Sequence, residues 1–414
     1  MPSHSPLPRY AWLTVGLLWP VALLNYLDRQ MLATMGLSIK ADIVELQSAE
    51  TYGQLMAVFM WVYAICSPLG GAVADRFSKK WLIVLSLGVW SFVTLMMGQV
   101  KGYHELYWLR AVMGVSEAFY IPAGLALIAD YHRGTTRSLA IGVHMSGLYL
   151  GQALGGLGGW VAQEVSWRAA FQSCGFIGVA YAFVLMALLR NRERDPEPVA
   201  NLNDPPPVQG RVHWAGFAIL ALCFSLPSLP GWAVKNWLPT LLQDRFHMEQ
   251  KSSGLWATSV VASAGFLGVL IGGRLSDLMS QRHMHGRTWV SATGLLLLVP
   301  ALAGMGLASS FWMVIVCSAL FGIGFGLFDT NNMPILCQVM PSRYRATAYG
   351  MLNCVGIGAG AALTPLLGKM KDNGVPLAQG FAYCAIPALI AAALMVYLRP
   401  GSRDCGVADS RHKT

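Results

Sequence analysis

A few ionisable side chains stand inside stretches that are otherwise almost wholly apolar. Asn25-Tyr26-Leu27-Asp28-Arg29-Gln30 interrupts the first such stretch, Arg110 and Glu117 the fourth, Lys235 the seventh and Asp329 the tenth. Charges are costly in hydrocarbon, so they are retained where they handle a proton, an ion or a charged solute. Arg110 and Glu117 are nearly two helical turns apart, which puts them on one face about 10 Å apart along the axis. Asp28 and Arg110 fall at similar depths and are expected to pair when Asp28 is ionised. That pair is either part of a proton relay or a structural lock. Glu117 has no basic neighbour that the sequence assigns, and burial without a partner favours the protonated carboxyl. A group protonated in one state and released in another suits proton coupling. The alternative is a structural Glu hydrogen-bonded to a nearby Tyr or Ser. Arg29 and Lys235 are cations on the first and seventh stretches. They suit an anionic solute held by charge-assisted hydrogen bonds, or they snorkel toward a surface.

Amides add to this set. Phe328-Asp329-Thr330-Asn331-Asn332-Met333-Pro334 lies in the tenth stretch, Asn353 in the eleventh, and His144 and Gln152 in the fifth. They are many for hydrocarbon depth. A cavity that hydrogen-bonds hydroxyl groups explains them, and so does helix packing through amides. Pro334 offers a kink and a hinge for a gate. The eight cysteines show no metal-ligand spacing, and seven lie in apolar runs, where Cys acts as a small hydrophobe. There is no nucleophile–base set and no phosphate loop. The reading is therefore not an enzyme, with no cofactor and no metal, and an ion gradient as the driver.

The elements that position these residues follow from composition. Hydrophobic residues make up 55% of the 414 residues and charged ones 12%, about half the charged share of soluble domains. Such a chain can face lipid. A spanning helix needs about 20 mostly apolar residues, and twelve stretches qualify: roughly 11–36, 53–74, 81–100, 105–129, 138–162, 169–189, 213–243, 254–276, 288–308, 312–336, 346–369 and 378–398. The fold class is all-α membrane protein. Between the sixth and seventh stretches the chain is charged and proline-rich, which reads as a solvated linker. It predicts six helices over 1–189, a cytoplasmic linker over 190–212, and six helices with a short tail over 213–414.

The net charge of +9 fits the positive-inside rule better than nucleic-acid binding, for which no motif is present. With the N-terminus inside, nineteen Lys/Arg fall in inner segments and seven in outer ones. Both termini are expected in the cytoplasm. The first stretch is too long for a signal-peptide core and reads as a membrane helix.

Gly71-Ala-Val-Ala-Asp75-Arg76-Phe-Ser78-Lys79-Lys80 follows the second stretch, and Gly273-Arg-Leu-Ser-Asp277 the eighth. Both read Gly-x-x-x-Asp at an inner helix end, six helices apart. This repeat resembles the signature loop of the major facilitator superfamily, Gly-x-x-x-Asp-Arg-x-Gly-Arg-Lys. Ser78 replaces the second glycine, Lys79 an arginine, and the second copy is degenerate. The resemblance implies two six-helix bundles with the site between them near mid-membrane. It also implies a latch in which Gly71, Asp75, Arg76, Lys79, Gly273 and Asp277 take part.

Two narrower resemblances compete. Asn25-Tyr26-Leu27-Asp28-Arg29, with Arg110-x-x-x-Gly114-x-x-Glu117-Ala118-x-x-x-Pro122-Ala123, resembles the anion:cation symporter family, which includes hexuronate and galactonate transporters. It implies that Asp28 and Glu117 carry protons and that Arg29 holds a sugar-acid carboxylate. Tyr26, Gln152 and Asn353 carry over less directly, and Lys235, Asn331 and Asn332 complete the expected substrate set. Gly114-Val-Ser-Glu117-Ala118-Phe-Tyr120 also resembles Spinster-like transporters, which move lysolipids and sphingolipids. The expected partners are a small anionic substrate, protons and the bilayer, for a monomer in a bacterial inner membrane. Export of lipid or drug by proton antiport is the alternative, and a nontransporting receptor is the third hypothesis.

Overall fold

The computed structural model describes residues 9–132, 136–191, 214–283, 285–340 and 345–398. Among these residues there is no strand. The chain runs through α1 (Arg9–Thr34), α2 (Gly36–Asp42), a 3₁₀ turn (Val44–Gln47), α3 (Ala49–Arg76), α4 (Lys79–Met97), α5 (Tyr103–Glu117) and α6 (Tyr120–Tyr131). It continues through α7 (Arg137–Leu154), α8 (Gly156–Glu164), α9 (Trp167–Leu188), α10 (Trp214–Phe246), α11 (Gln250–Arg282) and α12 (Gly286–Leu307). It ends with α13 (Phe311–Asp329), α14 (Asn332–Val339), α15 (Arg345–Asp372), α16 (Leu377–Tyr383) and α17 (Ala385–Tyr397).

Eleven helices or consecutive helix pairs among the described residues are long and apolar enough to cross a membrane. The remaining expected crossing is α7–α8. It falls short of that length and apolarity and is interrupted at Gly155. The expected linker over 190–212 falls outside the described residues from 192 onward.

Local sequence sets the helix starts. Ser48, Ser78 and Ser166 each accept a hydrogen bond from the backbone N–H three residues on, capping α3, α4 and α9. Two spans are broken at an ionisable residue. Glu117 is the last residue of α5, just before the break at Ala118 and Phe119, and Asp329 is the last of α13, just before Thr330 and Asn331. The equivalent spans of the two halves thus interrupt at a carboxyl.

Large side chains fill the interior, among them Trp90, Trp167, Trp237, Tyr52 and Tyr120, all nearly inaccessible. The flanks are the reverse. Phe92, Phe176, Phe183, Leu270, Ile271, Val316, Leu389 and Ile390 are exposed. So broad an apolar surface needs acyl chains to cover it, which makes this an integral multi-pass membrane protein.

The halves meet at the end away from Arg9 and Leu398, called the outer end here. Asp372, closing α15, accepts the N–H groups of Ala49 and Glu50 and the hydroxyl of Ser48 at 2.8–2.9 Å. Gln163, near the end of α8, accepts the N–H of Lys251 at 2.9 Å. Ala49 and Lys251 are separated in sequence by the same interval as Gly71 and Gly273. The two caps are therefore equivalent under the internal repeat. Close backbone contact accompanies each. A Cβ on Gly53 would lie 2.7 Å from Pro365 Cα, and one on Gly156 2.7 Å from Leu255 Cα. Deeper in, Gln30 Nε2 donates to the Lys235 carbonyl at 2.7 Å, and Thr258 joins the Gly156 N–H to the Ala153 carbonyl. The hydrogen bonds that join α1–α9 to α10–α17 among the described residues all lie at this end or at mid-depth.

Candidate functional site

Asp28 and Arg29 are adjacent on α1, so they leave the helix about 100° apart. Asp28 turns inward among α1–α9. Its Oδ1 accepts from the Cys174 thiol at 2.7 Å, and Thr94 Oγ1 lies 3.5 Å from Oδ2. Arg29 turns toward α3 and α5. Its Nε donates to Glu117 Oε2 at 2.5 Å, and Asn25 Nδ2 donates to the same oxygen at 2.8 Å. The guanidinium carbon is 4.5 Å from the ring centre of Tyr63, 5.0 Å from that of Tyr26 and 5.2 Å from that of Phe59. Glu117 is wholly buried. An ion pair so desolvated depends on both partners, and removing either charge strands the other.

Two expectations are corrected by this geometry. Glu117 has a basic partner, Arg29, that the sequence did not assign. Arg110 does not pair with Asp28. Its guanidinium lies 4.8 Å from the centre of Phe59, with Nη1 3.5 Å from the Met113 sulfur. The cause is rotational. The α5 face that carries Arg110 and Glu117 meets the α1 face that carries Arg29, and Asp28 points elsewhere. Glu117 Oε1, Arg29 Nη2, Arg110 Nε and Asn25 Oδ1 are each buried without a protein partner. Such atoms cost about 1–3 kcal/mol each, and all four belong to this one group of side chains.

Beside this cluster, between the halves, is a cavity of about 80 Å³. Tyr26, Gln152 and Lys235, three of the residues in the expected substrate set, line it, and so do Asp329, Tyr149 and Phe325. Tyr26 also faces the Arg29 guanidinium, so Arg29 stands one ring behind the wall. The Lys235 ammonium lies 5.2 Å from the Trp232 ring and 5.6 Å from the Phe325 ring. Asp329 is exposed within the molecule, and one of its oxygens accepts from Asn332 Nδ2 at 3.0 Å.

Other expected residues are not brought to the cavity. Asn331 bonds the Leu327 carbonyl of its own helix at 3.0 Å. Asn332 holds Asp329, and Asn353 lies beside Tyr349 on α15. Sequence reasoning noted Asp329 without giving it a role, and it passed over Tyr149, Cys174 and Thr94. A Tyr three residues before the chosen Gln152 was the available signal for Tyr149. Nothing in the sequence singled out Cys174.

The family model described as Major Facilitator Superfamily matches residues 18–284 and 256–411. The chain belongs to that superfamily. Among relatives of this facilitator, protein spinster of Drosophila melanogaster is 25% identical over 386 residues, covering 89% of this chain. The chain spans only 63% of that protein's length. The probable galactarate/D-glucarate transporter of Bacillus subtilis (strain 168) is 26% identical over 400 residues, covering 86% of this chain and 84% of the other. A crystal structure of a bacterial homolog of the human lysosomal transporter Spinster, inward-facing and occupied, shares the fold. Its TM-score is 0.76 at 19% identity, covering 96% of this facilitator and 97% of that chain.

The facilitator signature loop is only partly described. The surroundings of Gly71 and the side chain of Asp75 fall outside what is described. Arg76 is exposed, and Lys79 pairs with Asp130 at the end of α6. In the second copy, Gly273 stands against Thr330, and Asp277 lies 3.6 Å from Arg287 on α12.

Proposed function

We propose that this facilitator is a proton-coupled symporter of a small hydroxylated organic anion, a sugar acid such as a hexuronate or galactonate. The observation that carries the reading is the buried Arg29–Glu117 ion pair, with Nε 2.5 Å from Oε2, one aromatic ring behind the cavity. While Glu117 is ionised it occupies Arg29. A proton on Glu117 removes that competitor, and the guanidinium then needs another anion. The substrate carboxylate supplies it, so proton and anion load together. Lys235, Gln152, Tyr26 and Tyr149 offer the cavity donors for carboxylate and hydroxyl groups. Asp28, held by Cys174 and Thr94, is the second proton-carrying candidate. The loaded centre is closer to neutral than one holding the anion alone, which lowers the cost of its passage through mid-membrane. Alternation between inward and outward states then moves both. A bacterial inner membrane with both termini in the cytoplasm fits this reading.

Proteoliposome uptake of galactonate under an imposed pH gradient tests it. Accumulation should require the gradient and collapse with a protonophore. Gradient-independent equilibration would end the coupling claim.

The second reading is export of lysolipid or drug by proton antiport. Phe321, Phe325, Leu148 and Val261 on the cavity wall favour it. It predicts that lysolipids, and not sugar acids, raise the thermal midpoint of the purified protein.

A further inference from the structure

Lys235 on α10 and Asp329 on α13 line one cavity, yet they make no ion pair with each other. The ammonium has aromatic rings beside it and, among the described residues, no carboxylate within ion-pair distance. Asp329 has one oxygen engaged by Asn332 and the other open. Its place matches that of Glu117 in the opposite half, the last residue before a helix break. The surroundings differ in a way that separates their tasks. Glu117 is wholly buried against Arg29, whereas Asp329 is exposed to the space a solute would enter. A buried, paired carboxyl exchanges a proton against its partner, while an open one meets the solute directly.

Resting on the sugar-acid reading above, we propose that Asp329 is a specificity-determining residue that limits the solute to acids with a single carboxylate. The carboxylate goes to the cationic side, at Lys235 and the released Arg29. The far end of the solute then reaches Asp329. A hydroxyl or ammonium there donates a charge-assisted hydrogen bond to the open oxygen. A second carboxylate there meets a like charge in a partly apolar cavity, which weakens binding by roughly tenfold or more. The Bacillus subtilis relative is named for two dicarboxylates, so the proposal separates this chain from that relative.

Galactonate and galactarate test it, because they share one skeleton and differ at the far carbon, a hydroxymethyl in one and a carboxylate in the other. The measurement is competition for uptake by the full-length protein in proteoliposomes, with gluconate and glucarate as a second pair. The wild type should favour the mono-acid of each pair by about tenfold or more. Asp329→Asn should bring the ratio within about threefold, mainly by gaining the diacid. The substitution is nearly isosteric, and the buried, unpartnered Asn332 Oδ1 can accept from the new amide. A thermal midpoint near that of the wild type verifies folding, and Asp329→Ser provides a second variant if it shifts. An unchanged ratio in both variants overturns the proposal, as does a wild type that takes both acids equally. If Asp329→Asn abolishes gradient-driven uptake of both acids but keeps exchange, Asp329 carries protons and the proposal is also overturned. A wild type that takes none of the four acids, and is stabilised by lysolipid instead, overturns the sugar-acid reading itself.

Discussion

Asp372 and Ala49, from opposite halves of the molecule, are joined by a hydrogen bond of 2.9 Å from the Ala49 N–H to the Asp372 carboxylate. The same carboxylate accepts from Ser48 and Glu50, so it caps α3 and complements the positive end of that helix. Such a cap contributes about 1 kcal/mol, and its charge about 0.3–1 kcal/mol more. Both are present only while the outer end is closed. Asp372→Ala should therefore raise the outward-open population by roughly 5–30-fold, the ratio expected for 1–2 kcal/mol. Distances between spin labels at the outer ends of α3 and α15 would report it. Gln163→Ala removes the neutral counterpart at Lys251 and should shift the same distribution less. An unaltered distance distribution in Asp372→Ala would contradict the role given to this cap.

Glu117→Gln fixes the neutral state of that side chain and leaves Arg29 without its anion. Wild-type binding of a sugar acid should tighten as pH falls, because a proton on Glu117 frees Arg29. In the variant, affinity at neutral pH should match that of the wild type at acidic pH, and its pH dependence should flatten. Counterflow exchange should persist while gradient-driven accumulation is lost. Titration calorimetry at the two pH values, with paired uptake assays, reads both outcomes. A variant with full accumulation would show that Glu117 does not couple.

The crossings were legible because hydrocarbon thickness fixes the length of an apolar run, and the stretches from 11–36 to 378–398 follow the helices closely. Partner choice was not legible. Asp28 and Arg29 differ by one residue in sequence but by about 100° around α1, and that rotation decides which one meets Glu117. Linear spacing carried no information on how α1 and α5 are turned toward each other. Asp329 stood out in the sequence as a charge at membrane depth, yet only the fold gives its exposure to the cavity and its hydrogen bond from Asn332. Asp372 escaped notice because it lies at a helix end, where a charge is ordinary. Its meaning depends on the opposite half reaching it. The short α2 and the 3₁₀ turn were likewise unforeseen, since neither has the length or periodicity of a span.

Double-mutant cycles offer a direct check on the corrected pairing. Asp28→Asn combined with Arg110→Gln should show the weaker coupling in thermal stability, because the two groups sense each other's charge without touching. Asp28→Asn combined with Cys174→Ala should depart from additivity by about 0.5 kcal/mol or more, since the thiol donates to that carboxyl at 2.7 Å. Strong coupling in the first cycle and none in the second would restore the Asp28–Arg110 lock.

Gly53 and Gly156 allow a prediction that separates packing from charge. Each lets the backbones of opposite halves touch at the outer end, and an added methyl would come within 2.7 Å of a Cα atom on the other side. Backbone cannot rotate away as a side chain can, so Gly53→Ala and Gly156→Ala must part the outer contact. Overpacking of this kind costs about 1–3 kcal/mol, and the cost falls only on the closed arrangement. Both variants should move the spin-label distances in the direction expected for Asp372→Ala. Unlike that variant, they should do so equally at low and high salt, because no charge is altered. A salt-dependent shift in the glycine variants, or a shift in only one of them, would mean that the two sides of the outer contact do not act as equivalent seals.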